Sequence, residues 1–358
     1  MSTFQTVKKS DFATKREFRF AKIREKNMAM KILYAGSPEA SARTLEILLE
    51  RSQGVYEIAG VLTNPPSAKG RKKDLLPTAV GTFAQEKGIP VYAVQKLDAD
   101  FREVISAQKF DILVCFAYGK IFGPKFLSLF KIGGMNLHPS LLPKYRGPTP
   151  IPAAILNMDK ETAVTVQTLS LGMDEGEILA QKKITLDFTE TADSLLEESA
   201  VIGGELLDGV LRECAKLGTL PQGRPQQGDA SYTKIISRED TLINWNESAQ
   251  KISAFVRAYT SEGGAFTRIG STEGETLKIL KCVPFDENEI ASKKIALPEK
   301  FSEMKNGTVT AADKQNGIFI KCGKGVLCVT QLQRQQRNAM NYKDFLNGNK
   351  NFIGTTLF

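Results

Sequence analysis

Residues 110–119 read FDILVCFAYG, an almost unbroken apolar run closed by a glycine. A strand with one wet face alternates apolar and polar residues; a run without alternation suits a parallel strand covered on both faces by helices. MKILYAG (30–36), YEIAGVLT (56–63), IPVYAV (89–94) and GGMNLHPS (133–140) read as further strands. Between them lie helical stretches, one with Leu45, Leu48 and Leu49 on a single face and one around 78–87 that stops at Gly88. Strands alternating with helices predict a doubly wound, Rossmann-like α/β domain. In such a domain the site lies beyond the carboxyl ends of the strands. Tyr118-Gly119 and His138 fall at such ends.

AVTVQTLS (163–170) and EILAQKKITL (177–186) read as a strand pair, and a long amphipathic helix over roughly 190–216 completes a domain spanning 29–216. LGTLPQGRPQQGDA (217–230) is rich in Gly, Pro and Gln and has no apolar face. It predicts a linker, taken as 217–235. Over 236–358 the pattern changes to short strands separated by turns: TLKILKCVPF, NGTVTAAD, GIFIKCG and VLCVTQLQ. These predict a smaller β-barrel domain. A length of 358 residues accommodates both cores. Residues 1–28 lack periodicity and read as a disordered extension, with Met28 and Met30 offering an internal start just before the first strand. The opening segment has no apolar core of a secretory signal, and no run of 18 apolar residues exists to span a membrane. The five cysteines form no CxxC pair, which points to free thiols in a reducing cytoplasm.

The net charge of +8 is unevenly placed. Residues 1–30 hold eight Lys/Arg against three Asp/Glu, and 231–358 hold 18 against 13, which leaves the middle at −2. A near-neutral centre joined to a basic last third fits a catalytic domain beside a module that meets a polyanion. The chain has one histidine, His138. Multi-histidine metal sites are thereby excluded, and acid–base chemistry near neutral pH centres on this residue.

Three segments could hold chemistry. In Asn136-Leu137-His138-Pro139-Ser140-Leu141-Leu142-Pro143-Lys144-Tyr145-Arg146-Gly147, Asn136 and His138 are two apart on a strand and share a face. An amide beside a protonated imidazole suits a developing oxyanion, and the two prolines stiffen the loop that follows. In Ser170-Leu171-Gly172-Met173-Asp174-Glu175-Gly176-Glu177, Asp174 stands in a glycine-flanked turn after a strand, placed to orient His138. Lys69-Gly70-Arg71-Lys72-Lys73 puts four positive charges into five residues of a loop, suited to gripping phosphates. AGSPEAS after the first strand lacks the GxGxxG of a dinucleotide site, and no P-loop is present.

NLHPSLLPKYRG resembles the signature of the folate-dependent formyltransferases, VCFAYGKIFGP (114–124) their preceding strand and loop, and VTVQTLSLGMDEGEIL (164–179) their Asp-bearing hairpin. The resemblance implies a catalytic set of Asn136, His138 and Asp174, with 10-formyltetrahydrofolate as formyl donor and no metal. It implies a folate site lined by Ser140, Leu141, Leu142 and Pro143 with Tyr118 and Gly119. TNPPSAKGRKKDLLPTAV (63–80) and SYTKIISREDTLINW (231–245) resemble the branch of that family that acts on initiator methionyl-tRNA. That likeness implies tRNA contact through Lys69, Arg71, Lys72 and Lys73, an OB-like second domain supporting the tRNA, and a monomer. One departure is local: where the family commonly has Asn-Pro-Trp-Pro after Arg257-Ala258, this chain has Tyr259-Thr260-Ser261-Glu262-Gly263. Other readings are a formyltransferase for a small amine, glycinamide ribonucleotide or an amino sugar, and an RNA-binding protein that reuses the fold without catalysis.

Overall fold

The computed structural model describes residues 29–69, 74–292, 295–313 and 315–358. The expectations for residues 1–28 and for Arg71, Lys72, Lys73 and the side chain of Lys69 lie outside the described residues. The backbone of Lys69 ends a short strand.

The first domain runs β1 (Met30–Gly36), α1 (Glu39–Arg51), β2 (Tyr56–Thr63), the hairpin β3 (Ser67–Lys69) and β4 (Asp74–Leu76), α2 (Ala79–Glu86), β5 (Val91–Ala93), α3 (Ala99–Gln108), β6 (Ile112–Phe116), α4 (Pro124–Leu127), β7 (Gly133–His138), α5 (Pro150–Leu156), β8 (Glu161–Thr168), β9 (Ile178–Thr185) and α6 (Ala192–Leu217). Seven strands form one sheet in the order β5-β2-β1-β6-β7-β8-β9. The five from β5 to β7 pair in parallel. β8 and β9 add antiparallel, so the expected doubly wound sheet carries a reversed edge.

Both faces of the sheet are covered. Ile32 and Tyr34 of β1 point to one side, with Leu45 and Leu48 of α1 and Leu207 and Leu211 of α6. Leu33 and Ala35 point to the other, with Phe101 and Ile105 of α3. This two-sided burial explains why the strands read as apolar runs. Helix α6 starts on a Thr191–Ser194 capping box and stops at left-handed Gly218. Its Gly204 lies so close to α1 that a Cβ would stand 2.8 Å from Ile47 Cγ2. The buried Asp208 of α6 receives Tyr56 Oη at 2.9 Å and Arg212 Nε at 3.0 Å. This polar knot ties α6 to β2.

The second domain contains α7 (Ala249–Ala258), β10 (Phe266–Arg268), β11 (Thr276–Phe285), α8 (Glu287–Ser292), β12 (Val309–Ala312), β13 (Ile318–Lys321), β14 (Val326–Arg334), β15 (Met340–Asn341) and α9 (Tyr342–Gly348). Its antiparallel sheet runs β10-β11-β14-β13-β12, with β15 also on β14. Residues 355–358 bond to both outer strands. Arg268 N donates to Phe358 O at 2.8 Å, and Val309 N to Thr355 O at 2.9 Å. This segment closes the sheet on itself, and the single tryptophan, Trp245, fills the interior with Nε1 bonded to Thr267 Oγ1 at 3.0 Å. Ala254 and Ala258 of α7 pack into the core of the first domain, joining the two. The divergent residues Thr260–Glu262 form one 3-10 turn stopped by left-handed Gly263, and Thr260 Oγ1 accepts from Asp193 N at the start of α6.

Candidate active site

Three of the residues expected to act together do meet. β7 carries Asn136 and His138 to the point where the sheet changes from parallel to antiparallel pairing. Asp174 stands in the turn between β8 and β9, in the left-handed region at φ 54°. Its carboxylate lies 3.6 Å from His138 Nδ1 and accepts Asn136 Nδ2 at 3.3 Å.

Two further donors close on the same carboxylate. Gln167 Nε2 donates to Oδ1 at 2.8 Å, and the Gly147 backbone N–H to Oδ2 at 2.8 Å. Gln167 sits directly across the ladder from Asn136 and is buried. Its signal in the sequence is a lone amide inside the apolar strand VTVQT. A carboxylate with three donors is fixed in position.

His138 is held differently from the sequence expectation. Its Nε2 lies 2.9 Å from the carbonyl of Tyr145, which is the hydrogen bond that orients the ring. Asp174, at 3.6 Å from Nδ1, is longer than a hydrogen bond. The ring therefore turns Nδ1 toward Asp174 and the site. Tyr145 adopts φ 59°, which aims its carbonyl back at the strand end, and its hydroxyl is anchored on Asp159 Oδ2 at 2.8 Å. With one amide hydrogen of Asn136 directed at Asp174, its second remains for a substrate oxygen.

The loop after His138 is braced internally. Ser140 Oγ donates to Lys144 O at 2.7 Å, Ser140 O accepts from Thr165 Oγ1 at 2.7 Å, and Leu142-Pro143 is cis. Ser140, Leu142 and Pro143 are buried and Leu141 half-buried. The Tyr118 ring enters the core beneath α3 rather than lining an open cleft, stacked on Phe122 at 5.4 Å. Burial pushes its phenol up to about 12, and among the described residues its hydroxyl has no hydrogen-bond partner. What the strand end presents is backbone: Gly119 at φ 82° borders open space, and the Tyr118 carbonyl accepts Asn64 Nδ2 at 2.8 Å. Cys115, across the ladder from Asn136, is held as a neutral thiol, its pKa raised to about 12 chiefly by burial.

The segment expected as a bare linker is pinned to the site. Arg224 pairs with Ile178, and Tyr232 with Arg146. Tyr145 N donates to Ser231 Oγ at 2.9 Å, and Arg146 N to Ser231 O at 2.8 Å. Composition alone concealed this, because the contacts use backbone and amide groups rather than an apolar face. A cleft of about 480 Å³ in the second domain, lined by Arg238, Phe266, Arg268 and Thr276 among others, includes none of the catalytic candidates.

Residues 29–211 match the formyl transferase family model, and residues 235–350 match that of the formyl transferase C-terminal domain. The chain is 39% identical to a methionyl-tRNA formyltransferase of Treponema denticola, over 90% of this chain and 98% of that protein. It is 35% identical to the methionyl-tRNA formyltransferase of Dictyoglomus thermophilum, over 91% and 99%. Among solved structures, an N-formyltransferase from Helicobacter canadensis in complex with folinic acid and dTDP-3-aminofucose superposes with a TM-score of 0.54 at 20% identity, covering 86% of this chain and 100% of that one. At that identity the likeness concerns the fold. Among the described residues no helix is long and apolar enough to cross a membrane.

Proposed function

The chain belongs to the formyl transferase family, and on that premise we propose that it moves the formyl group of 10-formyltetrahydrofolate onto the amino group of methionine carried by initiator tRNA, in the cytoplasm. The observation that carries the reading is the match, across both domains and nearly end to end, with methionyl-tRNA formyltransferases. The meeting of Asn136, His138 and Asp174 supports the chemistry.

The folate is a substrate here and supplies an electrophilic formyl carbon. The donor set fits an acyl oxygen. The free amide hydrogen of Asn136 and a proton on Nδ1 of His138 are directed at the place where negative charge develops. Tyr145 holds Nε2 and so keeps the imidazole in one orientation. Asp174 takes up the proton released by the attacking amine, through a water molecule, and returns it to N10 of the folate as the bond from N10 to the formyl carbon breaks. The backbone of Tyr118-Gly119 and the braced Ser140–Pro143 loop border the folate. Lys69, Arg71, Lys72 and Lys73, with the basic second domain, hold the phosphates of the tRNA. The protein acts as a monomer in this reading.

Incubation with 10-formyltetrahydrofolate and either charged initiator tRNA or small amines tests the proposal. Formyl-methionyl-tRNA is the expected product. Preferential formylation of glycinamide ribonucleotide or an amino sugar would replace the acceptor and leave the chemistry standing.

A further inference from the structure

Gln226 lies in the segment between the domains, yet it joins the two loops that build the site. Its Nε2 donates to the backbone carbonyls of Asp174 at 2.8 Å and Gly176 at 2.9 Å, and approaches Gln167 Oε1 at 3.3 Å. Its Oε1 accepts Arg146 Nη2 at 2.9 Å and Nε at 3.1 Å. Carbonyl acceptors on one side and a guanidinium fork on the other leave only one orientation for the amide. Arg146 belongs to the loop that follows His138. It also reaches Glu175 Oε1 at 3.1 Å and Tyr232 Oη at 2.8 Å, and Tyr232 donates back to Glu175 at 3.0 Å.

We propose that Gln226 is a positioning residue for formyl transfer: a peg that locks the Asp174 turn to the Arg146 loop, and so sets the carboxylate against His138. Asp174 sits at φ 54°, in the left-handed region, which an aspartate adopts at some cost in free energy. The side chain of Asp174 is held by Gln167, Asn136 and Gly147, but its backbone carbonyl is held by Gln226. Gly147, the carboxylate's backbone donor, follows Arg146 directly. Gln226 therefore constrains both ends of the Asp174–Gly147 contact. Displacement of a catalytic group by about an ångström costs roughly a hundredfold in rate, so a peg outside the reacting atoms affects turnover.

The inference rests on the formyl-transfer reading, and the test separates the two. Gln226→Met keeps the length and removes both halves of the amide. Gln226→Glu keeps an acceptor for Arg146 and loses the donors to the two carbonyls. In both, kcat should fall about tenfold or more while KM for 10-formyltetrahydrofolate stays within about twofold of the parent. The single histidine gives a second readout, because the imidazole ¹⁵N resonances of the whole protein belong to His138. They should shift in both variants relative to the parent, with no acceptor present. A parental kcat in either variant, or a slowed enzyme with unmoved His138 resonances, overturns the peg. Failure of the parent to formylate methionyl-tRNA removes the functional reading alone, since the His138 comparison still decides the inference.

Discussion

The two domains bury polar groups in opposite ways. In the first, an Asp, an Asn, a Gln, a His and an Arg converge at one sheet end, joined there by Gln226 of the connecting segment and tied to one another and to backbone. In the second, the buried polar side chains are hydroxyls such as Thr267, Thr276, Thr308 and Thr310, and the interior is organised around Trp245. The parallel sheet has helices on both faces, so its polar residues gather beyond strand ends. Residues 231–358 carry 18 Lys and Arg against 13 Asp and Glu, spread over strands, helices and loops. One domain holds a few charges in fixed geometry; the other carries many that face solvent. The first arrangement suits bond making, the second suits a polyanion.

Substitutions can sharpen or break this contrast. The largest effect belongs to His138→Ala, where transfer should drop a hundredfold or more while tRNA binding, read by filter retention, is preserved. The ring is buried on Tyr145, so its loss should also cost about 1 kcal/mol of stability by leaving that carbonyl unpaired. Turnover near the parental rate would remove His138 from the mechanism. Next, Asp208→Ala strips the knot of Tyr56, Arg51 and Arg212 and should destabilise the first domain by about 3 kcal/mol. Urea titration followed by Trp245 fluorescence would show whether the barrel outlasts it; coincident unfolding would mean the domains stand or fall as one.

Arg71→Ala challenges the division directly, because it places a phosphate contact within the first domain's sequence. Formylation of charged tRNA should fall, folate binding should hold, and the slope of log binding against log salt should flatten by about 0.7 to 0.9. A parental rate with an unaltered slope would leave the tRNA contact to the second domain. The smallest effect concerns Asp240, whose half-buried carboxylate accepts Lys234 and Ser237 and is held down to about 2 from 3.8. A depressed carboxyl stabilises the folded state above its unfolded pKa, and the effect is lost as pH falls through the folded one. Asp240→Asn should therefore lower the melting temperature slightly at pH 5 and by less near pH 2. A difference that persists unchanged at pH 2 would exclude this linkage.

Much of this was legible in the chain. The apolar run at 110–119 announced a strand covered on both faces, and the i, i+2 spacing of Asn136 and His138 put them on one side of β7. The reversed β8–β9 edge could not be read in direction, because a strand's periodicity does not encode its polarity relative to a neighbour. The Tyr145 carbonyl was invisible because every residue has a carbonyl, and only the left-handed φ aims this one. Gln226 was concealed among the glutamines of a segment whose composition resembles any linker. Tyr118 follows a strand end that the resemblance places at the folate site, while packing on Phe122 draws its ring inward and leaves its backbone there.

The Arg146–Gln226 bonds span 80 positions of chain. Closure over such a distance is entropically costly and comes late in folding, after local helices and adjacent strand pairs have formed. In refolding, secondary structure should be recovered before any turnover appears. A circular-dichroism trace and an activity trace recorded from the same refolding reaction would then separate in time, with the interval marking the docking of residues 224–233.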